Sequence, residues 1–87
     1  MKKSGNDSQL PQYRVILKND ATNPFDKVIT ALIILCGLDP DVAVKKVMDI
    51  HMLGSDVVAT THFELAETLM TKLNNLGLSA YIEKDLI

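Results

Sequence analysis

Two adjacent polar residues, Asn19 and Asp20, follow directly on a strand-like run and precede a helix start by a few residues. Side chains placed there either bind a ligand or cap the backbone. A carboxamide oxygen and a carboxylate are hydrogen-bond acceptors suited to a cationic group such as an ammonium. The same residue types also form Asx turns by bonding to their own backbone. The pattern alone favours the turn and leaves a binding role as the alternative.

The other residues capable of chemistry are His51, His62 and Cys36. His51 comes late in a predicted helix, where a neutral imidazole offers one donor and one acceptor, although the helix dipole alone also favours a histidine there. The two histidines fall on different predicted helices, so a shared metal site is not expected. Cys36 lies on an apolar stripe without a nearby base, and a nucleophile needs one. We therefore expect no catalytic residue, no metal, no cofactor and no enzymatic activity.

The composition indicates one globular domain with a modest core, since the chain has 87 residues, a formal net charge of −2 and 47% hydrophobic residues. Its basic clusters are two lysine pairs, so nucleic-acid binding is not expected. The longest apolar run, residues 31–36, is too short to cross a membrane, and a single cysteine is compatible with a reducing cytosol. We expect a cytoplasmic protein with a disordered tail over residues 1–11 and a folded domain over residues 12–87.

Hydrophobic periodicity divides the domain into six elements. Alternation predicts strands over residues 13–18, 56–60 and 78–83, and spacings of three and four predict a helix before each of the glycines 37, 54 and 77. Asn23 and Thr61 are the expected N-caps of the first and third helices. The order β-α-α-β-α-β predicts an α+β two-layer sandwich, with three helices packed on a small three-stranded antiparallel sheet.

The order and spacing of several motifs resemble a known family. The run Tyr-Arg-Val-Ile-Leu-Lys-Asn-Asp at residues 13–20, then Pro24, and the run Ile-His-Met-Leu-Gly at residues 50–54 are similar to ClpS, the adaptor of the bacterial Clp protease. The resemblance covers about residues 13–84, including Phe-Glu-Leu-Ala-Glu-Thr at residues 63–68. It implies a non-enzymatic adaptor that binds proteins with bulky hydrophobic N-terminal residues (N-degrons) and passes them to a Clp-type AAA+ unfoldase.

The resemblance also implies three groups of site residues. The first would hold the α-amino group of the bound protein: Asn19, Asp20 and His51. The second would form a hydrophobic pocket for its first side chain: Ile16, Phe25, Val47, Ile50 and Leu78. The third would contact the unfoldase: Glu64 and Glu67.

Four positions depart from the family pattern. Ala21 stands where the family has a second acidic residue that helps to hold the α-amino group. Phe25 and Val47 replace methionines, one filling space and the other freeing it, so we expect a shifted preference among N-terminal residues. Leu69 replaces a lysine on the unfoldase-facing helix. The N-terminal tail is also short for the flexible extension that the family uses in delivery.

A similar fold occurs in the C-terminal domain of the bacterial ribosomal stalk protein. The third helix and last strand of this chain suit that family equally well, whereas the Asn-Asp turn and His51 do not. The alternative function is therefore a stalk-type protein-interaction domain without a peptide pocket.

Overall fold

The computed structural model describes residues 10–85. Within that range the chain forms three strands and three helices in the order β-α-α-β-α-β. These elements are β1 (Tyr13–Lys18), α1 (Phe25–Cys36), α2 (Pro40–Leu53), β2 (Ser55–Thr61), α3 (Phe63–Asn75) and β3 (Ser79–Lys84). The predicted α+β sandwich is confirmed.

The sheet places β1 in the centre, in the order β2-β1-β3, with both neighbours antiparallel to it. Because side chains alternate along a strand, β1 presents Val15 and Leu17 to one face of the sheet and Ile16 to the other. Val15 and Leu17 belong to the core that the helices cover. On the opposite face, Ile16 pairs with Val57 of β2 and Tyr81 of β3.

The core is aliphatic, as the low aromatic content predicts. The largest fully buried side chains come from the central strand and from two helices: Val15, Leu17, Leu32 and Leu73. Three small or branched residues at i, i+4 and i+7 bury one face of α2: Ala43, Val47 and Ile50. Other positions of α2 are exposed, among them Val44, Met48 and Met52.

The helix starts differ from two of the predicted N-caps. Pro24 precedes α1 and His62 precedes α3, and neither helix has a side-chain cap hydrogen bond. Thr61 instead completes β2, where it pairs with Tyr13, so the expected capping box does not form. Asn23 lies one residue before the cap position, and its side-chain amide donates to Asp20 in the same loop and to the Gly77 carbonyl before β3.

The predicted boundary at residues 11 and 12 lies close to a backbone contact, in which the Asp85 amide donates to the Gln12 carbonyl at 2.8 Å. Most of the predicted tail, residues 1–9, and residues 86–87 lie outside the described residues. None of the helices in residues 10–85 is long and apolar enough to cross a membrane.

Candidate functional site

A small cavity opens where the end of β1, the start of α1 and the middle of α2 meet. Five apolar residues line it: Leu17, Val28, Val47, Ile50 and Leu78. Phe25 and four polar residues complete the lining: Lys18, Asn19, Asp20 and Asn23. The cavity volume is about 20 Å³, which is room for roughly one water molecule. The site is therefore an apolar cleft with a polar mouth, nearly closed as it stands.

A backbone hydrogen bond draws the polar mouth to the end of α2. The Asn19 amide donates to the Gly54 carbonyl at 2.9 Å. Gly54 ends α2 in the left-handed conformation, at φ 99°, and its own amide donates to the Ile50 carbonyl. A residue with a Cβ is strained at that φ, so glycine suits this junction. The tether places Asn19 at the same end of the domain as His51.

Asp20 holds the loop between β1 and α1. Its Oδ1 accepts hydrogen bonds from the backbone amides of Thr22 and Asn23 and from both side chains, each at 3.0 Å. The Asn23 side chain, with further help from the other donors, outweighs partial desolvation and holds the pKa of Asp20 below its usual range. The turn interpretation from the sequence is therefore confirmed for Asp20, and its carboxylate stays charged at neutral pH.

The Asp20 carboxylate nevertheless keeps free acceptor capacity. Its Oδ2 accepts one hydrogen bond, from the Asn23 amide at 2.9 Å, whereas a carboxylate oxygen has two lone pairs. Asn23 also donates to the Gly77 carbonyl at 3.0 Å and accepts from Lys27 at 2.7 Å. This network orients a negative charge at the mouth of the cavity.

His51 does not line the cavity, but it contacts Phe25, which does. The two rings meet edge to face, with centroids 5.1 Å apart at an interplanar angle of 68°. Phe25 lines the cavity and is 43% exposed, and His51 is exposed on the surface beside it. Phe25 therefore separates the imidazole from the apolar cleft in this conformation.

One predicted pocket residue lies elsewhere. Ile16 is buried, with 6% exposure, but it lies outside the cavity lining and outside the core cluster, whereas Leu17 lines the cavity. Side chains alternate along β1, so Ile16 and Leu17 point to opposite faces of the sheet. This alternation indicated that Leu17 faces the core, whereas the resemblance pointed to Ile16. Val28 was also missed as a lining residue, although the apolar stripe of α1 includes it.

The remaining candidates lie away from the cavity. Glu64 and Glu67 are exposed on the first turns of α3, and Leu69 is buried in the core, with 7% exposure. Burial raises the pKa of the Cys36 thiol, which disfavours the thiolate that a nucleophile requires. Among residues 10–85, no three or more histidine, cysteine or acidic side chains are grouped closely enough to hold a metal ion.

Comparison with known proteins identifies the family. The family model for the ATP-dependent Clp protease adaptor protein ClpS matches residues 8–80. A ClpS adaptor from Synechococcus elongatus is 38% identical over 76 residues, covering 86% of this chain and 80% of the relative. A ClpS adaptor from a second Synechococcus strain is 36% identical over 69 residues, covering 78% of this chain and 76% of that protein.

A solved structure shows the same fold. Agrobacterium tumefaciens ClpS2 bound to L-phenylalaninamide superposes with a TM-score of 0.84 at 26% sequence identity, covering 88% of this chain and all of that one. The family match does not support the alternative of a ribosomal-stalk domain. Since the family model spans most of the described domain and curated relatives exceed one third identity, the chain belongs to the ClpS family of Clp protease adaptors.

Proposed function

We propose that this adaptor binds proteins through a hydrophobic N-terminal residue and hands them to a Clp-type AAA+ unfoldase. The observation that carries the proposal is that one cavity is lined by six of the site residues that the resemblance implied: Asn19, Asp20, Phe25, Val47, Ile50 and Leu78. An apolar cleft with acceptors at its mouth matches an N-terminal residue, which combines an apolar side chain with an ammonium. The relative bound to L-phenylalaninamide carries a ligand of this type.

The first part of the proposal, binding of the α-amino group, relies on three hydrogen-bond acceptors. Asn19 offers a carboxamide oxygen, His51 an unprotonated ring nitrogen, and Asp20 the free capacity of Oδ2. Asp20 supplies the negative charge, which makes its hydrogen bond to an ammonium the strongest of the three. Ala21 carries no acceptor, so this chain would hold the amine with one acid near the mouth.

The second part of the proposal, binding of the first side chain, requires the cavity to open. A volume of about 20 Å³ cannot accept a leucine or phenylalanine side chain. Phe25 is the most exposed apolar residue of the lining, at 43%, and its ring meets the His51 ring edge to face. Such a contact is worth about 0.5–1.5 kcal/mol, whereas burying a leucine or phenylalanine side chain gains about 1.5–3 kcal/mol. The loss of the ring contact is therefore smaller than the gain from burying the ligand side chain.

The unfoldase part of the proposal rests on the exposed start of α3. Glu64 and Glu67 present carboxylates to solvent on neighbouring turns, as a docking surface requires. With the pKa of Cys36 raised by burial, we propose no catalytic role for the chain.

A binding screen over first residues tests the proposal. Fluorescein-labelled peptides that differ only in residue one are titrated with the protein by fluorescence anisotropy. Leu, Phe, Tyr and Trp are expected to bind, and Gly, Ser and Glu are not, because only the former fill an apolar cleft. His51→Ala is expected to weaken binding without lowering the thermal midpoint, since His51 is exposed.

His62→Ala is the matched control, because His62 is also an exposed histidine, at the start of α3. Equal affinity for all first residues would refute the pocket. Unchanged affinity in His51→Ala would remove the imidazole from the site.

A further inference from the structure

Lys27 brings a positive charge close to the polar mouth of the cavity. Its Nζ donates a hydrogen bond to the Asn23 Oδ1 at 2.7 Å. A Cβ atom added at Gly77 would meet the same Nζ at 3.8 Å. The ammonium group of Lys27 therefore lies against the loop between β1 and α1 and beside the turn that leads into β3.

The position of Lys27 within α1 is unfavourable for a cation. Lys27 lies in the first turn of the helix, which carries the positive end of the helix dipole and favours acidic residues such as Asp26. Among residues 10–85, Lys27 belongs to none of the ion pairs, which are Arg14–Glu83, Lys45–Asp49 and Lys46–Asp56. Neither the helix nor a direct ion pair explains a lysine at this position.

Asn23 joins the Lys27 ammonium to the Asp20 carboxylate. Its Oδ1 accepts from Lys27, and its Nδ2 donates to the Asp20 Oδ1 and Oδ2 at 3.0 and 2.9 Å. One carboxamide and two hydrogen bonds separate the two charges, which places them within the Debye length of about 8–10 Å at physiological salt. The positive charge of Lys27 therefore offsets part of the negative potential that Asp20 creates at the cavity mouth.

We infer that Lys27 determines how strongly the candidate site prefers a charged α-amino group, because it offsets the Asp20 carboxylate and weakens the binding of the amine. This inference rests on the proposed function. A ligand ammonium beside Asp20 would be repelled by Lys27, whereas an uncharged N-terminal group would not. Lys18 also lines the cavity, but its ammonium has no ion pair among residues 10–85, so Lys27 is the lysine that the loop holds in place.

Two leucine-initiated peptides of one sequence, with a free and with an acetylated α-amino group, test the inference by isothermal titration calorimetry. Lys27→Gln is expected to bind the free peptide roughly two- to fivefold tighter than the parent does, because a solvent-screened repulsion is removed. This gain should shrink with added sodium chloride. The acetylated peptide has no charge at its first residue, so its affinity should stay unchanged. Lys27→Arg keeps the charge and should bind both peptides as the parent does.

Lys84→Gln is the matched control, because it makes the same change in net charge at another exposed lysine. Lys84 pairs with Tyr13 at the start of β1, and the strand length of about 17 Å separates that pair from the end where Asp20 follows. Charges that far apart are screened, so the control should bind both peptides as the parent does. Lys27→Gln should keep the thermal midpoint of the parent, since Lys27 is exposed.

Each failure has its own signature. If the parent prefers the free peptide and Lys27→Gln shows the same preference, the proposed function stands and the inference is overturned. If Lys27→Gln binds both peptides more weakly, Lys27 has only the structural role of orienting Asn23, and the inference is again overturned. An equal gain in Lys84→Gln would assign the effect to net charge and overturn it too. If the parent binds both peptides equally, or neither, the proposed amine recognition and the inference both fall.

Discussion

At the scale of single residues, the amine recognition that we propose would depend on one carboxylate, where the family pattern has two acidic residues. Asp20 lines the cavity, is held charged by Asn23, and keeps capacity on Oδ2. Ala21 follows it on an exposed bend and offers a methyl group. A charged hydrogen bond is worth about 1.5–3 kcal/mol when well formed and less where solvent screens it.

Ala21→Asp is therefore expected to tighten binding of a free leucine peptide by roughly three- to tenfold, since it adds a second acid beside the ammonium. Isothermal titration calorimetry measures the change. Ala21→Asn is the control, because it adds the same bulk without charge. An equal gain in both variants would show that size, not charge, is responsible.

Phe25 is the second residue whose identity matters by itself. Phe25→Ala should open the cavity and raise the association rate for Trp and Phe peptides by roughly two- to tenfold, because no ring contact must break first. Stopped-flow fluorescence measures that rate. The chain offers a close control in Phe63→Ala, since Phe63 is 44% exposed and contacts Tyr13 edge to face at 5.1 Å on another part of the domain.

Phe63→Ala should leave peptide binding unchanged. Slower or weaker binding in Phe25→Ala would mean that the phenyl ring forms part of the wall for the ligand and does not obstruct its entry.

At the scale of elements, the loop between β1 and α1 has a structural role besides the binding role that we propose for it. Asp20 accepts hydrogen bonds from Thr22 and Asn23, and Asn23 joins the loop to Gly77. The loop that presents the carboxylate is therefore the loop that the carboxylate stabilises. The folded state lowers the pKa of Asp20, so its contribution to stability is complete above its unfolded pKa and is lost as the pH falls through the lower folded value.

Asp20→Asn should accordingly reduce the free energy of unfolding by about 0.5–1 kcal/mol at neutral pH, a small value because the loop is solvated. The loss should shrink as the pH falls below the ordinary aspartate pKa and through the lower pKa of the folded state, because the parent then becomes protonated. Urea denaturation at several pH values measures both quantities. Glu67→Gln, an exposed acid on α3, should show no such trend. A deficit in Asp20→Asn that is constant with pH would contradict the account.

The elements themselves could be predicted from the sequence because their signals are local. Alternation in β1 and the spacing of Val28, Leu32 and Cys36 in α1 depend only on neighbours in the chain. The caps were less predictable, since Asn23 and Thr61 have the right chemistry for an N-cap but are recruited by other parts of the fold. At these two positions, the tertiary contacts with Gly77 and Tyr13 outweigh the local preference for an N-cap.

At the scale of the whole molecule, the site depends on contacts between distant segments. Asn19 and His51 lie at the same end of the domain because the Asn19 amide donates to the Gly54 carbonyl, a hydrogen bond that no local pattern predicts. The resemblance to ClpS supplied that pairing, along with Phe25, Val47, Ile50 and Leu78 in the lining. It also supplied Ile16, where alternation in β1 was the better guide. The small volume of the cavity and the contact between Phe25 and His51 could be seen only in three dimensions.

The most direct test of the central claim is the ratio of dissociation constants for one leucine-initiated peptide with a free and with an acetylated α-amino group, measured by isothermal titration calorimetry. Acetylation removes the positive charge that Asn19, Asp20 and His51 are proposed to hold. The account predicts at least a roughly tenfold loss of affinity, and a smaller loss for an Nα-methylated peptide, which keeps its charge. Equal dissociation constants for the free and acetylated peptides would contradict recognition of the amino group.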